Sequence, residues 1–238
     1  ILPASPLYEE KWVRAYAEYS VEKANSLLDE MGLKWDADHK YRLRPDGKVL
    51  EVEIMANEAM LEYTTTLEIV PDYWEAVGVK VVRNVVDRGF HAEAHSASQF
   101  QISQRASHYM WSVAMTATSG SFDLQPTAGR RGFAPRWGVW ANEFLKGEGK
   151  EVAEDEPPEP YKEFILTLKT LQQLPEEEML ERVKWIFDFQ AEYLMGIGTV
   201  AQPPYIMVYK SDLKNVPEGK YVEGVHFSLQ KPQTFYRD

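Results

Sequence analysis

Apolar residues recur at helical spacing soon after the chain begins. Ala24, Leu27, Leu28 and Met31 share one face behind Ser20, a good N-capping residue, and Gly32 stands where a helix reverses. Pro45-Asp46-Gly47-Lys48 is turn chemistry. Leu50, Val52 and Ile54 then alternate with Glu51 and Glu53, which predicts a strand with one buried face. Leu61, Leu67, Val70, Trp74 and Val77 predict a second helix, kinked or restarted at Pro71 and ended by Gly78. Residues 79 to 86 are β-branched enough for a buried strand. Residues 88 to 102 read as helix and residues 109 to 115 as a third strand.

From residue 116 to 159 the periodicity breaks down into Gly, Pro and aromatic residues. An acidic run at 151 to 159, carrying Pro157-Pro158, reads as a solvated linker. Two amphipathic helices are predicted next. Tyr161, Phe164, Ile165, Leu168 and Leu171 make the stripe of one, over 161 to 172. Met179, Leu180, Val183, Ile186, Phe187 and Leu194 make the stripe of the other, over 176 to 195. Residues 206 to 209 read as a late strand, and the tail has strand-like pieces without an obvious partner in the chain. Alternating helix and strand patterns predict an α/β fold.

Composition narrows the function classes. Hydrophobic residues at 44% and charged residues at 26% suit a soluble globular chain, and 238 residues suit one large domain or two small ones. Acids outnumber bases 37 to 26, for a formal charge of −11, which disfavours a phosphate-tracking groove or an anionic membrane surface. There is no cysteine, so disulfides, thiolate metal sites and cysteine nucleophiles are excluded. The chain opens Ile1-Leu2-Pro3-Ala4, without Met or a basic-then-apolar leader, and is expected to be a piece of something longer.

Five stretches in order carry a family resemblance. Tyr19-Ser20-Val21-Glu22-Lys23-Ala24, continuing through Leu27-Leu28-Asp29-Glu30-Met31-Gly32, is one. Leu43-Arg44-Pro45-Asp46-Gly47-Lys48 is the next, and Trp74-Glu75-Ala76-Val77-Gly78-Val79-Lys80-Val81 follows. Ile197-Gly198-Thr199-Val200 with Pro203-Pro204, and Asn215-Val216-Pro217, complete the set. Together they resemble the extracellular solute-binding proteins of family 5, the oligopeptide- and dipeptide-binding components of ABC importers. The resemblance implies a periplasmic-binding-protein-like C-terminal lobe (domain II) over 1–238, a mixed β-sheet flanked by helices, with the N-terminal lobe absent. It implies a periplasmic or extracellular location, with a lipid anchor as an option on the missing N-terminus. It also implies a cycle in which two lobes close on a solute and deliver it to the permease subunits, the protein's one route of membrane contact. No cofactor and no nucleic acid enter that cycle.

Candidate chemistry centres on the loop at 114 to 120, after the third predicted strand, because ligands gather outside the carboxyl ends of strands in open α/β sheets. Thr116, Thr118 and Ser119 offer small hydroxyls there, against the bland alternative of an ordinary turn. The resemblance implies an acid in this loop in peptide binders, paired with the peptide α-ammonium. Residues 114 to 121 contain none, and Asp123 comes slightly late. That points to a neutral solute, with an oligosaccharide ahead of an oligopeptide. Trp111, Trp137 and Trp140 offer flat faces for sugar rings or apolar groups, although such rings also wedge loops onto a core. Arg130, Arg131 and Arg136 form a local basic cluster, and Arg136 is the candidate donor to the solute.

Two other readings compete. His91-Ala92-Glu93-Ala94-His95 places two imidazoles four apart, half of a zinc site, so the alternative function is a metallohydrolase using His91 and His95. Glu93 does not meet the His-Glu-x-x-His spacing, and the third ligand would have to be His108 or a distant acid. Nucleophile-elbow and dinucleotide-fingerprint motifs are absent from the sequence, so no enzyme is expected. A purely structural interaction module is the other class.

Overall fold

The computed structural model describes residues 7–59, 61–104, 132–147, 155–198, 210–216 and 236–237. The chain divides into two compact units, Ile1–Gly196 and Ile197–Asp238. In the first unit the described elements run α1 (Glu10–Arg14), α2 (Val21–Glu30), β1 (Glu51–Asn57), α3 (Leu61–Glu75), β2 (Lys80–Val86), α4 (Arg88–Ser96) and β3 (Ile102–Ser103). Helices α5 (Pro135–Lys146), α6 (Tyr161–Thr170) and α7 (Glu176–Tyr193) follow, with a 3-10 turn at Leu171–Gln173 between the last two. In the second unit, β4 (Leu213–Lys214) pairs antiparallel with β5 (Tyr236–Arg237), so two of the tail's strand-like pieces pair with each other. The predicted strands at 109 to 115 and 206 to 209 lie outside the described residues. No helix among the described residues is long and apolar enough to cross a membrane.

Strand β1 is central among the described strands, parallel to β2 on one side and to β3 on the other. That position explains a departure from the alternating pattern. Ile54, Met55 and Ala56 are consecutive and all buried, as expected of a parallel strand covered on both faces. β2 has only one described neighbour and is not the buried strand its β-branched run predicts, since Val85 is exposed. Leu67, with Val70 beside it, covers Ile54 and Ala56 from α3. Pro71 is accommodated inside α3, which runs through it to Glu75.

The larger core is helical. Trp140 and Ala141 of α5, Phe164, Ile165 and Leu168 of α6, Leu171, and Val183, Ile186, Phe187 and Phe189 of α7 form one buried cluster. Each fully buried Val, Leu, Ile or Phe side chain among them contributes on the order of 1.5–3 kcal/mol. Phe164 stacks on Phe189 at 4.4 Å, and Phe189 on Tyr193 at 4.3 Å. The stripes predicted over 161 to 172 and 176 to 195 therefore meet each other. The apolar stripe of α2 fares differently. Ser20 caps it, its Oγ accepting from the Lys23 N–H at 3.1 Å, yet Leu27 and Met31 remain exposed and no α2 residue is buried.

What anchors α2 is a buried cation. Arg42 is 0% exposed. Its guanidinium donates to Asp29 Oδ1 at 2.6 Å and the Leu33 carbonyl at 2.5 Å. It also donates to Asn25 Oδ1 at 2.7 Å and the Val77 carbonyl at 2.9 Å. The same group lies 4.7 Å from the Trp35 ring centroid. One side chain thus ties the end of α2 to the turn after α3. Gly78 makes that turn at φ +86°, where a Cβ would fall 2.6 Å from Trp35 and 2.8 Å from Arg42 Cγ.

Helix α1 docks on α7 through Trp12. Its ring lies 4.9 Å from Phe187, and its Nε1 donates to Asp188 Oδ1 at 2.7 Å. Lys11 Nζ reaches the same oxygen at 2.7 Å. Burial opposes ionisation of Asp188, but the Lys11 and Trp12 donors outweigh it and hold the carboxyl below its ordinary 3.8. The hydrogen bond to Asp188 in turn raises Lys11 above 10.5. A depressed acid binds fewer protons folded than unfolded, so its stabilisation is full above pH 3.8 and is lost as pH falls through the folded value. A raised amine behaves in the opposite sense, losing its stabilisation above pH 10.5. The α1 contact is therefore expected to hold between these limits and to loosen in acid. The Trp12 indole proton, followed by NMR, should report that loosening, and Asp188→Asn should abolish its acid transition. An unchanged transition in that variant would refute the assignment.

Candidate functional site

The described residues that converge on a solvent-open hollow come from three segments of the first unit. Helix α4 ends in a tight reversal. The Ser98 N–H donates to the His95 carbonyl at 3.0 Å and Gln99 N–H to the Ala94 carbonyl at 2.8 Å, with Ser98 at φ +56°. The reversal turns Phe100 back onto His95, stacked at 4.6 Å. Gln101 is held against the sheet by its Oε1, which accepts from the Glu53 N–H at 2.6 Å. These residues precede β3, so they flank its amino end.

Helix α5 supplies the second wall. Pro135 opens it with a φ already suited to a first helical turn, which places Arg136 and Trp137 at its start. Trp137 is half-buried, edge-on to Phe133 at 6.2 Å and tilted against Tyr161 at 5.3 Å. Arg136 donates from Nε to Asp155 Oδ2 at 2.7 Å, with its terminal nitrogen 2.6 Å from the same oxygen. Asp155, at φ +62°, is the third segment. The hollow they line with Ser98, Phe100 and Gln101 encloses about 260 Å³. Ser98 Oγ is itself inaccessible, with no hydrogen-bond partner among the described residues.

A second hollow of about 400 Å³ runs along α6 toward the start of α7. Its lining includes Glu159, Glu163 and Glu178 against Lys162 and Arg182, with no aromatic ring. It offers like-charged acids and flexible bases rather than a shaped face.

The candidate ligand residues fare unequally. Arg136 and Trp137 meet in the first hollow. Trp140 does not belong with them. It is 1% exposed inside the helical core, stacked on Phe144 at 4.9 Å, and serves as a support for α5 rather than a contact surface. Trp111, Thr116, Thr118, Ser119 and Asp123 lie outside the described residues, as do Arg130, Arg131 and His108. Ser98, Phe100, Gln101 and Asp155 were not expected. Asp155 belongs to the run read as a solvated linker, yet it pairs with Arg136, and Glu156 pairs with Lys162. Helix α5 itself was hidden inside a stretch read as aperiodic. Its signal is Pro135 followed by Trp137, Trp140, Ala141 and Phe144 at helical spacing.

His91 and His95 are both buried on α4, with ring centroids 6.1 Å apart and planes within 21°. Ser103 Oγ lies 3.2 Å from His91 Nε2. Among the described residues no group of three or more His, Asp or Glu could hold a metal ion.

Comparison with known proteins supplies the context. The family model described as "Bacterial extracellular solute-binding proteins, family 5 Middle" matches residues 1–128. No curated protein sequence matches. Among solved structures, an oligopeptide-binding protein OppA superposes with a TM-score of 0.66 at 29% identity, covering 82% of this chain and 31% of OppA. The periplasmic binding protein MelB of Agrobacterium fabrum, in complex with stachyose, superposes with a TM-score of 0.60 at 19% identity, over 80% of this chain and 27% of MelB. A periplasmic oligopeptide-binding protein of Thermotoga maritima, bound to mannohexaose, gives 0.57 at 16% identity, over 79% of this chain and 32% of that one. The last two share the fold. The chain spans 27–32% of the length of these proteins.

Proposed function

This chain belongs to the bacterial extracellular solute-binding proteins of family 5, and we propose from that premise that it forms the C-terminal lobe of an ABC-importer receptor. The receptor works outside the cytoplasmic membrane, closes two lobes on a small solute and hands it to the permease. It makes and breaks no bond. The match of the family model over residues 1–128 carries this reading. The superposition on OppA, at 29% identity, supports it.

The solute is of the oligosaccharide or oligopeptide class, with the oligosaccharide preferred. MelB and the Thermotoga maritima protein were solved with stachyose and mannohexaose, which makes sugars a precedented cargo for this fold. In this chain the acid-free stretch at 114 to 121 favours a neutral solute, because a buried ammonium without a partner is costly. Trp111, Thr116, Thr118, Ser119, Arg136 and Trp137 are the contacts proposed on this lobe. Asp123 is the residue that would answer a peptide ammonium.

Solute extracted from the intact receptor and identified by mass spectrometry tests the class directly. The intact receptor titrated with cello-, xylo- and manno-oligosaccharides, and separately with di- to pentapeptides, is expected to bind a sugar more tightly. Tight peptide binding abolished by Asp123→Ala would overturn the sugar preference while leaving the receptor reading in place. Turnover of any of these compounds would overturn the receptor reading.

A further inference from the structure

The hollow between the end of α4 and the start of α5 has a composition that selects among solutes. Its walls are aromatic, from Phe100, Phe133 and Trp137. Among its described lining residues the charged ones are Arg136 and Asp155, and these neutralise each other at 2.6–2.7 Å. A charged solute meets no net charge in that pair, so it gains little there to offset the loss of its own hydration. A neutral polyol would not, because planar guanidinium and carboxylate groups donate to and accept from hydroxyls while remaining paired. Gln101 adds an amide. A volume of about 260 Å³ falls just below the ~300–1,000 Å³ of sites for drug-sized ligands, so it suits one ring rather than a chain.

We propose that this hollow is a subsite for a single neutral pyranose ring, seated against Trp137 and hydrogen-bonded by the Arg136–Asp155 pair and Gln101. The apolar face of the sugar, made of its axial C–H bonds, lies against the indole. The equatorial hydroxyls reach the paired side chains at the rim. The proposal rests on the solute-binding reading but adds a place for it that the sequence did not reveal, at the amino end of β3 rather than outside the carboxyl ends of the strands.

The test uses the 238-residue chain itself. Cellobiose, xylobiose and mannobiose are titrated while the indole resonance of Trp137, assigned with Trp137→Phe, is followed by NMR. At least one disaccharide is expected to shift that resonance saturably with a Kd of ~1–10 mM, the affinity of one partly buried ring. Glucuronate and glucosamine, which carry a charge on a similar ring, are expected to bind at least ~5-fold more weakly. Arg136→Ala, and independently Gln101→Ala at an exposed position, are expected to weaken binding by a similar factor. Retention of the native spectrum by either variant separates lost contact from lost fold. No saturable shift over that concentration range, or a shift unaffected by both variants, overturns the subsite. If the intact receptor still binds the same sugars in that event, the subsite fails and the solute-binding reading survives. If the intact receptor binds neither sugar nor peptide, both fail.

Discussion

Arg42→Met is expected to destabilise the chain by about 3–5 kcal/mol, far more than any exposed arginine. The guanidinium is wholly buried and serves several acceptors at once. Its removal deprives the Leu33 and Val77 carbonyl oxygens of this donor, and each buried acceptor left without a partner costs ~1–3 kcal/mol. Asp29 adds less, because its side chain is 64% exposed and water can solvate it once the partner is gone. Met fills part of the volume but restores none of the hydrogen bonds. Arg42→Lys keeps the charge and loses the fork, so it should fall between wild type and Met. Gly78→Ala should strike the same joint from the other side, since the new methyl would press on Trp35 and Arg42 at a left-handed φ. Urea unfolding followed by Trp fluorescence measures all three. Arg44→Met is the control, because Arg44 pairs with Asp46 in the open turn. A loss in Arg42→Met no larger than in Arg44→Met would show that the buried cation does not hold this joint.

Arg42 also marks where the sequence was legible and where it was not. The capped helix after Ser20, the turn at Gly47 and the reversal at Gly78 each depend on residues a few positions apart, so local chemistry identified them. The cation that joins them reaches across 35 residues to Val77, and nothing in its local sequence distinguishes it from Arg44. The same contrast runs through the helical core. The stripes of α6 and α7 were readable because each is continuous. Helix α5 was not, because Gly138 and the neighbouring Gly- and Pro-rich stretch weaken its local helical signal, and its stability comes from burying Trp140 and Ala141 against α6 and α7.

The candidate site divides along the same line. Aromatic and arginine residues suggested ligand contact by type, and Arg136 and Trp137 do share a hollow. Type alone does not separate Trp137 from Trp140, three positions away, because only the packed structure shows that Trp140 is buried in the helical core while Trp137 lines a hollow. Ser98, Phe100 and Gln101 escaped notice for another reason. Their placement depends on the αL reversal at Ser98, which brings a loop from before β3 to a helix that begins more than 30 residues later.

Separating this chain from the rest of its receptor is expected to weaken solute binding by about 1,000-fold. In the proposed cycle the solute is enclosed between two surfaces, and this chain supplies one of them. A receptor with micromolar affinity gains ~8 kcal/mol on binding. Halving the contact leaves ~4 kcal/mol, which corresponds to a millimolar Kd. The remaining surface also cannot exclude water from its hydrogen bonds, which weakens each of them further. The fold should survive the separation, because the aromatic helical core of α5, α6 and α7 and the sheet core under α3 are formed from residues of this chain. Cooperative urea unfolding of the 238-residue chain, with no shift in midpoint at solute concentrations that saturate the intact receptor, is the expected result. Titration calorimetry on both proteins then gives the ratio of the two affinities. Micromolar binding by this chain, matching the intact receptor, would mean that the solute is held on one surface and that closure of a second lobe is not what captures it.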